Sequence, residues 1–182
     1  MKNISDLKVC FNYLLLMTFL LAGQSVPASG DEKATSEEIR TLVKNSLQAW
    51  ETGSEELLLS TAHPDMEFSF PTTRTDAQGA LRVLRYWNEH YEDTKVYIHW
   101  ILVDGDRFAA EYQFATTEKA TGKRTAAGTV AIGRVQDGKI ITLKEYVDGR
   151  VGRLQNEGEL PLEEGEEPYP WPEYDKTMPW SD

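Results

Sequence analysis

One acidic side chain, Glu145, occupies an apolar position in a predicted strand near the end of the 182-residue chain. Asp137-Gly138 predicts a tight turn before this strand, because glycine readily adopts the positive φ of hairpin turns. Side chains alternate between the two faces of a strand, so Glu145 shares its face with three aliphatic residues: Ile141, Leu143 and Val147. An unpaired buried carboxylate is costly. Glu145 therefore lies either at the sheet margin, solvated or paired with Lys or Arg, or in a cavity that holds its partner.

In a cavity, Glu145 is a candidate general base, with Tyr112 on an earlier strand as its assistant. Other reactive sets are missing. Cys10 is the only cysteine and lies in the leader, which excludes thiol chemistry in the mature chain. The three histidines, His63, His90 and His99, lack the spacing of a metal site. We predict no metal and, in the absence of a nucleotide-binding fingerprint, no cofactor.

The first 28 residues have the pattern of a signal peptide. Lys2 and Lys8 precede an apolar run, and Val26 and Ala28 form an A-x-A-like cleavage site. The run is too short to cross a bilayer. We expect cleavage after Ala28, export to the periplasm or the medium, and no membrane attachment afterwards.

Charge is concentrated at the other end of the chain. The formal net charge is −11, and the residues from Gln155 onward include nine acids and one lysine. The remainder carries too little charge, and of the wrong sign, for nucleic-acid binding. Residues 155–182 form an acidic tail rich in Pro and Trp. Either the tail is disordered, or its Pro-Tyr-Pro-Trp-Pro segment lies along the domain surface, at the mouth of any cavity.

The elements that must position Glu145 follow from the apolar spacing. After a linker at 29–35, Ser36 is the predicted cap of a helix whose apolar stripe reaches Trp50. Helical stripes also predict a short helix after Ser54 and a third helix reaching Tyr91. A strand precedes Pro71, and four antiparallel strands run from Thr94 to Asp148. Alternation places Trp100 inward and His99 on the outer face. Helices followed by a strand meander indicate an α+β fold.

This order resembles the SnoaL-like branch of the nuclear transport factor 2 superfamily over about residues 36–150. The resemblance rests on Trp50-Glu51-Thr52-Gly53, on Phe70-Pro71 and on Asp137-Gly138-Lys139-Ile140 followed by Glu145-Tyr146-Val147-Asp148. It implies a cone-shaped curved antiparallel sheet wrapped around three N-terminal helices, with an interior pocket. It also implies a domain at 36–154 and homodimers formed through the outer sheet face.

The catalytic sets of these relatives are largely missing. The general-base Asp and the oxyanion-hole Tyr of ketosteroid isomerases fall on Phe70 and Ser46. Of the Asp-Arg-Asp set of limonene epoxide hydrolases, one acid corresponds to Glu145, while the Arg and the other Asp fall near Tyr112 and Phe114. Polyketide-cyclase chemistry needs an acid/base beside an aromatic pocket, which Glu145 with Tyr112 could supply.

Three hypotheses follow. In the first, the domain binds a small, largely apolar or aromatic ligand in a pocket whose predicted walls are Phe68, Phe70, Trp87, Trp100, Phe114, Leu143 and Val147. The second is a lyase, isomerase or hydrolase that uses Glu145 as its general base, assisted by Tyr112. The third is a dimeric interaction scaffold whose acidic tail contacts a cationic partner.

Overall fold

A computed structural model describes residues 34–162. The helices in this range are α1 (Ser36–Thr52), α2 (Glu55–Thr61), α3 (Ala77–His90) and α4 (Gly149–Glu157). The strands are β1 (Ala62–Phe70), β2 (Thr73–Thr75), β3 (Tyr91–Asp104), β4 (Arg107–Glu118), β5 (Arg124–Gln136) and β6 (Lys139–Val147). The predicted signal peptide and the Pro-Tyr-Pro-Trp-Pro segment lie outside the described residues.

Helix α1 begins with a capping box. The Thr35 hydroxyl accepts a hydrogen bond from the Glu38 backbone N–H, and the Glu38 carboxylate accepts one from the Thr35 backbone N–H. The cap is thus one residue earlier than the predicted Ser36. The helix ends at Gly53, whose φ of 68° is left-handed. Its apolar stripe is buried as predicted: Ile39, Val43, Leu47 and Trp50.

The six strands form one curved, unclosed sheet in the order β2-β1-β6-β5-β4-β3. The predicted meander of β3 to β6 is antiparallel throughout. Strand β1 joins it by pairing with β6 in parallel, with Phe68 opposite Leu143, and β2 is added beyond β1. The α+β prediction is confirmed, with one parallel pair that the alternation pattern did not predict.

A β-bulge changes the orientation of half of β3. Ile98 pairs with Tyr112 and Trp100 with Glu111, so His99 is an extra residue without a partner on β4. Beyond this point the alternation is reversed, and Ile101 and Val103 pack against the core while Trp100 and Leu102 are exposed. The inward placement predicted for Trp100 is therefore wrong, because simple alternation does not extend through a bulge.

The core lies between the helices and the inner sheet face. It centres on fully buried side chains from α1, β1, α3 and β6, which are Ile39, Phe68, Leu84 and Ile140. Helix α4 begins after the N-cap Asp148 and lies against β5, where the Gln155 side-chain oxygen accepts a hydrogen bond from the Ala126 N–H at 2.8 Å. It runs across the predicted boundary between residues 154 and 155. In residues 34–162, no helix is long and apolar enough to cross a membrane.

Candidate ligand-binding site

A cavity of about 510 Å³ lies between the helices and the inner face of the sheet. One wall comes from α1, β1 and α3, and the opposite wall from the inner faces of β4, β5 and β6. The residues that line it are Leu47, Trp50, Phe68, Phe70, Pro71, Val83, Trp87, Tyr112, Phe114, Thr116, Thr125, Ala127, Thr129, Glu145, Val147 and Gly149. This volume is in the usual range for a small-molecule site.

Strand register brings the two polar candidates together. Tyr112 on β4 lies opposite Thr129 on β5, and Thr129 lies opposite Val147 on β6. Glu145 is two residues before Val147 and therefore points to the same face. The long tyrosine side chain spans β5 and reaches the carboxylate. The Tyr112 hydroxyl donates a hydrogen bond of 2.7 Å to Glu145 Oε1.

The apolar surroundings change the acidity of both groups. Burial raises the pKa of Glu145 to about 7, and the hydrogen bond from Tyr112 opposes this rise only in part. Burial and the nearby Glu145 raise the pKa of Tyr112 well above its usual value. Tyr112 is 2% exposed and stays protonated, so it acts as the hydrogen-bond donor. Near neutral pH, Glu145 can therefore either accept or release a proton.

Aromatic rings form much of the wall. The rings of Trp50 and Phe68 are 6.0 Å apart, and those of Phe68 and Phe70 are 5.5 Å apart. Trp87 meets Phe114 edge to face at 5.0 Å. The indole N–H of Trp87 is satisfied by the hydroxyl of Thr94 at 3.0 Å. The ring of Trp87 is thus held in place without using a polar group of the cavity.

Five of the seven predicted wall residues line the cavity: Phe68, Phe70, Trp87, Phe114 and Val147. Glu145 and Tyr112 also lie there, and within residues 34–162 the partner of Glu145 is Tyr112 rather than a lysine or arginine. Two predicted wall residues lie elsewhere. Trp100 is 39% exposed on the outer face because of the bulge, and Leu143 is 5% exposed in the packed core. Leu143 lies two residues before Glu145 on the same face of β6, in the part of the domain interior that packed side chains fill.

The prediction missed the helical wall. Leu47 and Trp50 line the cavity from the last turns of α1, and Val83 lines it from α3. Their spacing gives the signal for an inward-facing stripe, but it does not distinguish the packed end of a stripe from the end beside a hollow. Ser46, at the position of an isomerase oxyanion donor, is buried and does not line the cavity.

No cluster of three or more potential metal ligands occurs among residues 34–162. The lining itself contains one ionisable acid, Glu145, one phenol, Tyr112, and no lysine, arginine or histidine. The arrangement can therefore bind an apolar molecule and exchange one proton with it. The described part of the chain offers no positive side chain in the cavity to a negatively charged substituent.

Comparisons with known proteins agree with this architecture. TsrD from Streptomyces laurentii superposes with a TM-score of 0.62 at 21% identity, over 70% of this chain and 100% of that one. An LEH-like epoxide hydrolase from M. tuberculosis gives 0.58 at 21% identity, over 66% and 90%. An NTF2-like protein from Burkholderia thailandensis gives 0.57 at 17% identity, over 64% and 95%. At these identities the likeness concerns the fold. No curated protein matches the chain significantly.

The family model of the SnoaL-like domain matches residues 43–143, which run from the middle of α1 to the middle of β6. The match covers more than half of the chain and most of the cavity wall. This chain belongs to the SnoaL-like domain family.

Proposed function

We propose that this domain binds a small, largely apolar molecule inside its cone. The supporting observation is the cavity of about 510 Å³, whose wall is aromatic and aliphatic except for the Tyr112–Glu145 pair and a few threonines. Burying apolar ligand surface in such a wall is worth roughly 25 cal/mol per Å² before the costs of association. The polar pair supplies one point that can fix the orientation of the ligand.

A neutral apolar dye tests this proposal. N-phenyl-1-naphthylamine, which brightens in apolar surroundings, should bind the protein and be displaced by the natural ligand. Ala127→Trp places a large ring in the cavity from β5 and should abolish dye binding. Leu59→Trp adds the same side chain at an exposed position on α2 and should leave it unchanged. Equal dye binding by both variants would contradict an interior site.

Identification of the ligand needs the protein from its own host. Native mass spectrometry of the purified protein should detect a co-purified small molecule, and the Ala127→Trp variant should lack it. A molecule retained equally by Ala127→Trp would lie outside the cavity.

A second candidate function is catalysis by Glu145. It is favoured by the 2.7 Å hydrogen bond from Tyr112 and by a pKa of about 7, since a general base works best when its pKa is near the ambient pH. In this alternative the bound molecule is a substrate of a lyase, isomerase or hydrolase. Glu145 accepts its proton, and Tyr112 donates a hydrogen bond to the carboxylate.

Substitution of Glu145 separates the two candidates. With the ligand identified as above, Glu145→Gln should abolish turnover if Glu145 is the base, and should keep or improve affinity if the carboxyl group is only buried. Unchanged turnover in this variant would exclude the catalytic alternative and leave the binding function intact.

We also propose that the protein acts outside the cytoplasm. The support is the sequence of residues 1–28, with Lys2 and Lys8 before an apolar run and Ala28 at the end of a cleavage motif. The mature protein from the periplasm or medium should begin at Ser29 by N-terminal sequencing. A cytoplasmic product that still begins at Met1 would contradict export.

A further inference from the structure

The cavity combines many aromatic rings with one carboxylate. Six of its lining residues are aromatic, and they are Trp50, Phe68, Phe70, Trp87, Tyr112 and Phe114. Among residues 34–162, its lining includes one side chain that can become negatively charged near neutral pH, Glu145, and none that is basic. Aromatic faces and a carboxylate favour the same kind of ligand group, because both carry negative electrostatic potential.

We propose, on the basis of the ligand-binding function above, that the ligand carries a positively charged, N-alkylated ammonium group that lies among these rings against Glu145. The rest of the ligand is apolar and fills the remaining cavity.

The contacts of the Glu145 carboxylate favour a positively charged ligand group. Among residues 34–162, the hydrogen bond to this carboxylate comes from Tyr112 and is made to Oε1, and the carboxylate lines the cavity. Glu145 has no ion pair with a residue in this range, while other acids such as Glu55 and Glu67 pair with arginines on the surface. A carboxylate in apolar surroundings is stabilised by an opposite charge a few ångströms away. An ammonium group in the cavity supplies that charge.

The same lining disfavours ligands that are negatively charged or neutral. A carboxylate or phosphate on the ligand would meet Glu145, and the lining residues that the structure describes include no basic side chain to offset the repulsion. A neutral ligand can enter, but it brings no opposite charge to the carboxylate. The formal net charge of −11 further favours the approach of cations over anions.

The scarcity of hydrogen-bond acceptors indicates an alkylated nitrogen. A primary ammonium group has three N–H donors that need partners when buried. Besides Glu145 and Tyr112, the acceptor side chains of the lining within residues 34–162 are three hydroxyls, those of Thr116, Thr125 and Thr129. The hydroxyl of Thr116 already contacts Thr94 at 3.2 Å and the Glu92 carbonyl at 3.3 Å. Methyl groups on the nitrogen remove this need and contact the rings favourably.

A matched pair of probes tests the proposal. Phenyltrimethylammonium and tert-butylbenzene have nearly the same shape and differ in the positive charge of the former. Each should displace N-phenyl-1-naphthylamine from the protein. We expect the cation to bind at least tenfold more tightly at pH 8, where Glu145 is mostly ionised.

Two variants separate the pocket charge from the overall charge. Glu145→Gln should remove the preference for the cation, so that the two probes bind about equally. Glu111→Gln also removes one acid, but from the outer face of the strand that carries Tyr112, and it should keep the preference. Retained dye binding shows that the cavity of each variant is intact.

The outcomes distinguish this inference from the function on which it rests. Equal binding of both probes to the unaltered protein would overturn the ammonium proposal and leave an apolar-ligand site. A cation preference that survives Glu145→Gln would also overturn it. Failure of the dye and both probes to bind would overturn the proposed binding function as well.

Discussion

The apolar lining of the cavity determines the acidity of Glu145, whose side chain is half-buried. Its carboxyl group meets aromatic and aliphatic side chains and one phenol, and burial raises its pKa from the usual 4.5 to about 7. Between these values the native protein keeps a proton that the unfolded chain has released. The free energy of unfolding therefore falls as the pH rises through this interval, since the native state binds more protons there.

Ionisation of Glu145 in the apolar cavity lowers the free energy of unfolding. We expect this loss to be absent from Glu145→Gln, because glutamine is neutral at every pH. Relative to the unaltered protein, the variant should gain about 1–3 kcal/mol of stability between pH 4.5 and pH 8, after allowance for water in the cavity. Urea unfolding at several pH values measures this difference. Glu56→Gln, at an exposed position on α2, is the control and should show no comparable gain. A gain that is equal in both variants would contradict a buried acid.

The phenol of Tyr112 has a separate effect on the same group. Its hydrogen bond stabilises the ionised carboxylate and lowers the pKa of Glu145, against the effect of burial. Tyr112→Phe should therefore raise the Glu145 pKa above about 7, as measured by carbon NMR of the labelled carboxyl group during a pH titration. Tyr146→Phe changes an exposed neighbour on the opposite face and should leave it unaltered. A pKa that falls in Tyr112→Phe would refute this role.

The sequence indicated the polar pair, because an acid on an apolar strand face needs a partner and Tyr112 lies on an earlier strand of the same meander. The positions of Trp50 and Trp100 could not be predicted in the same way. Both are large aromatic residues in apolar patterns, yet one lines the cavity and the other is exposed. The difference depends on the shape of the hollow and on a bulge, which neither hydrophobicity nor spacing encodes.

At the scale of elements, the backbone of β5 lies close to the Phe108 ring at Gly133, because glycine has no side chain there. A Cβ at this position would lie 2.4 Å from both the Phe108 ring and the Thr142 carbonyl oxygen. Gly133→Ala should therefore destabilise the protein by roughly 2–3 kcal/mol, as overpacking does in other cores. Thermal unfolding measures the loss.

Gly128 provides the control on the same strand. A Cβ there meets only the Gln113 side chain, at 3.9 Å, so Gly128→Ala should change stability little. Equal losses in the two variants would indicate a general intolerance of β5 to alanine rather than the close approach at Gly133.

Among the elements, the regular ones were predictable and the irregular ones were not. The apolar stripe of α1 and the turns at Asp104-Gly105 and Asp137-Gly138 follow from local chemistry. Helix α4 was not predicted, because it contains Gly149 and Gly152 and buries none of its residues. Its stability depends on the Asp148 cap and on contacts with β5, which only the folded chain provides.

At the scale of the whole molecule, the bulge that removes Trp100 from the cavity adds it to an apolar outer face. Register places Trp100 in one row with Glu111, Val130 and Tyr146, and Leu102 in the next row with Ala109 and Ile132. The large exposed apolar side chains of this outer face are Trp100, Leu102, Ile132 and Tyr146. The second row continues to the exposed Lys144. Large exposed apolar side chains grouped on one face are typical of protein interfaces, and we propose that two copies of the chain pair through this face.

This pairing predicts a dimer that one charge can separate. Leu102 is 63% exposed on the proposed interface, and in a two-fold dimer Leu102→Arg would alter both subunits at once, because each contributes the same surface. Burial of an unpaired guanidinium is costly, so this variant should have the mass of a monomer in light scattering after gel filtration. Leu59→Arg, at an exposed position on α2, should remain a dimer. A monomeric unaltered protein would refute the pairing and leave the proposed ligand binding untouched, because the described residues that line the cavity belong to one chain.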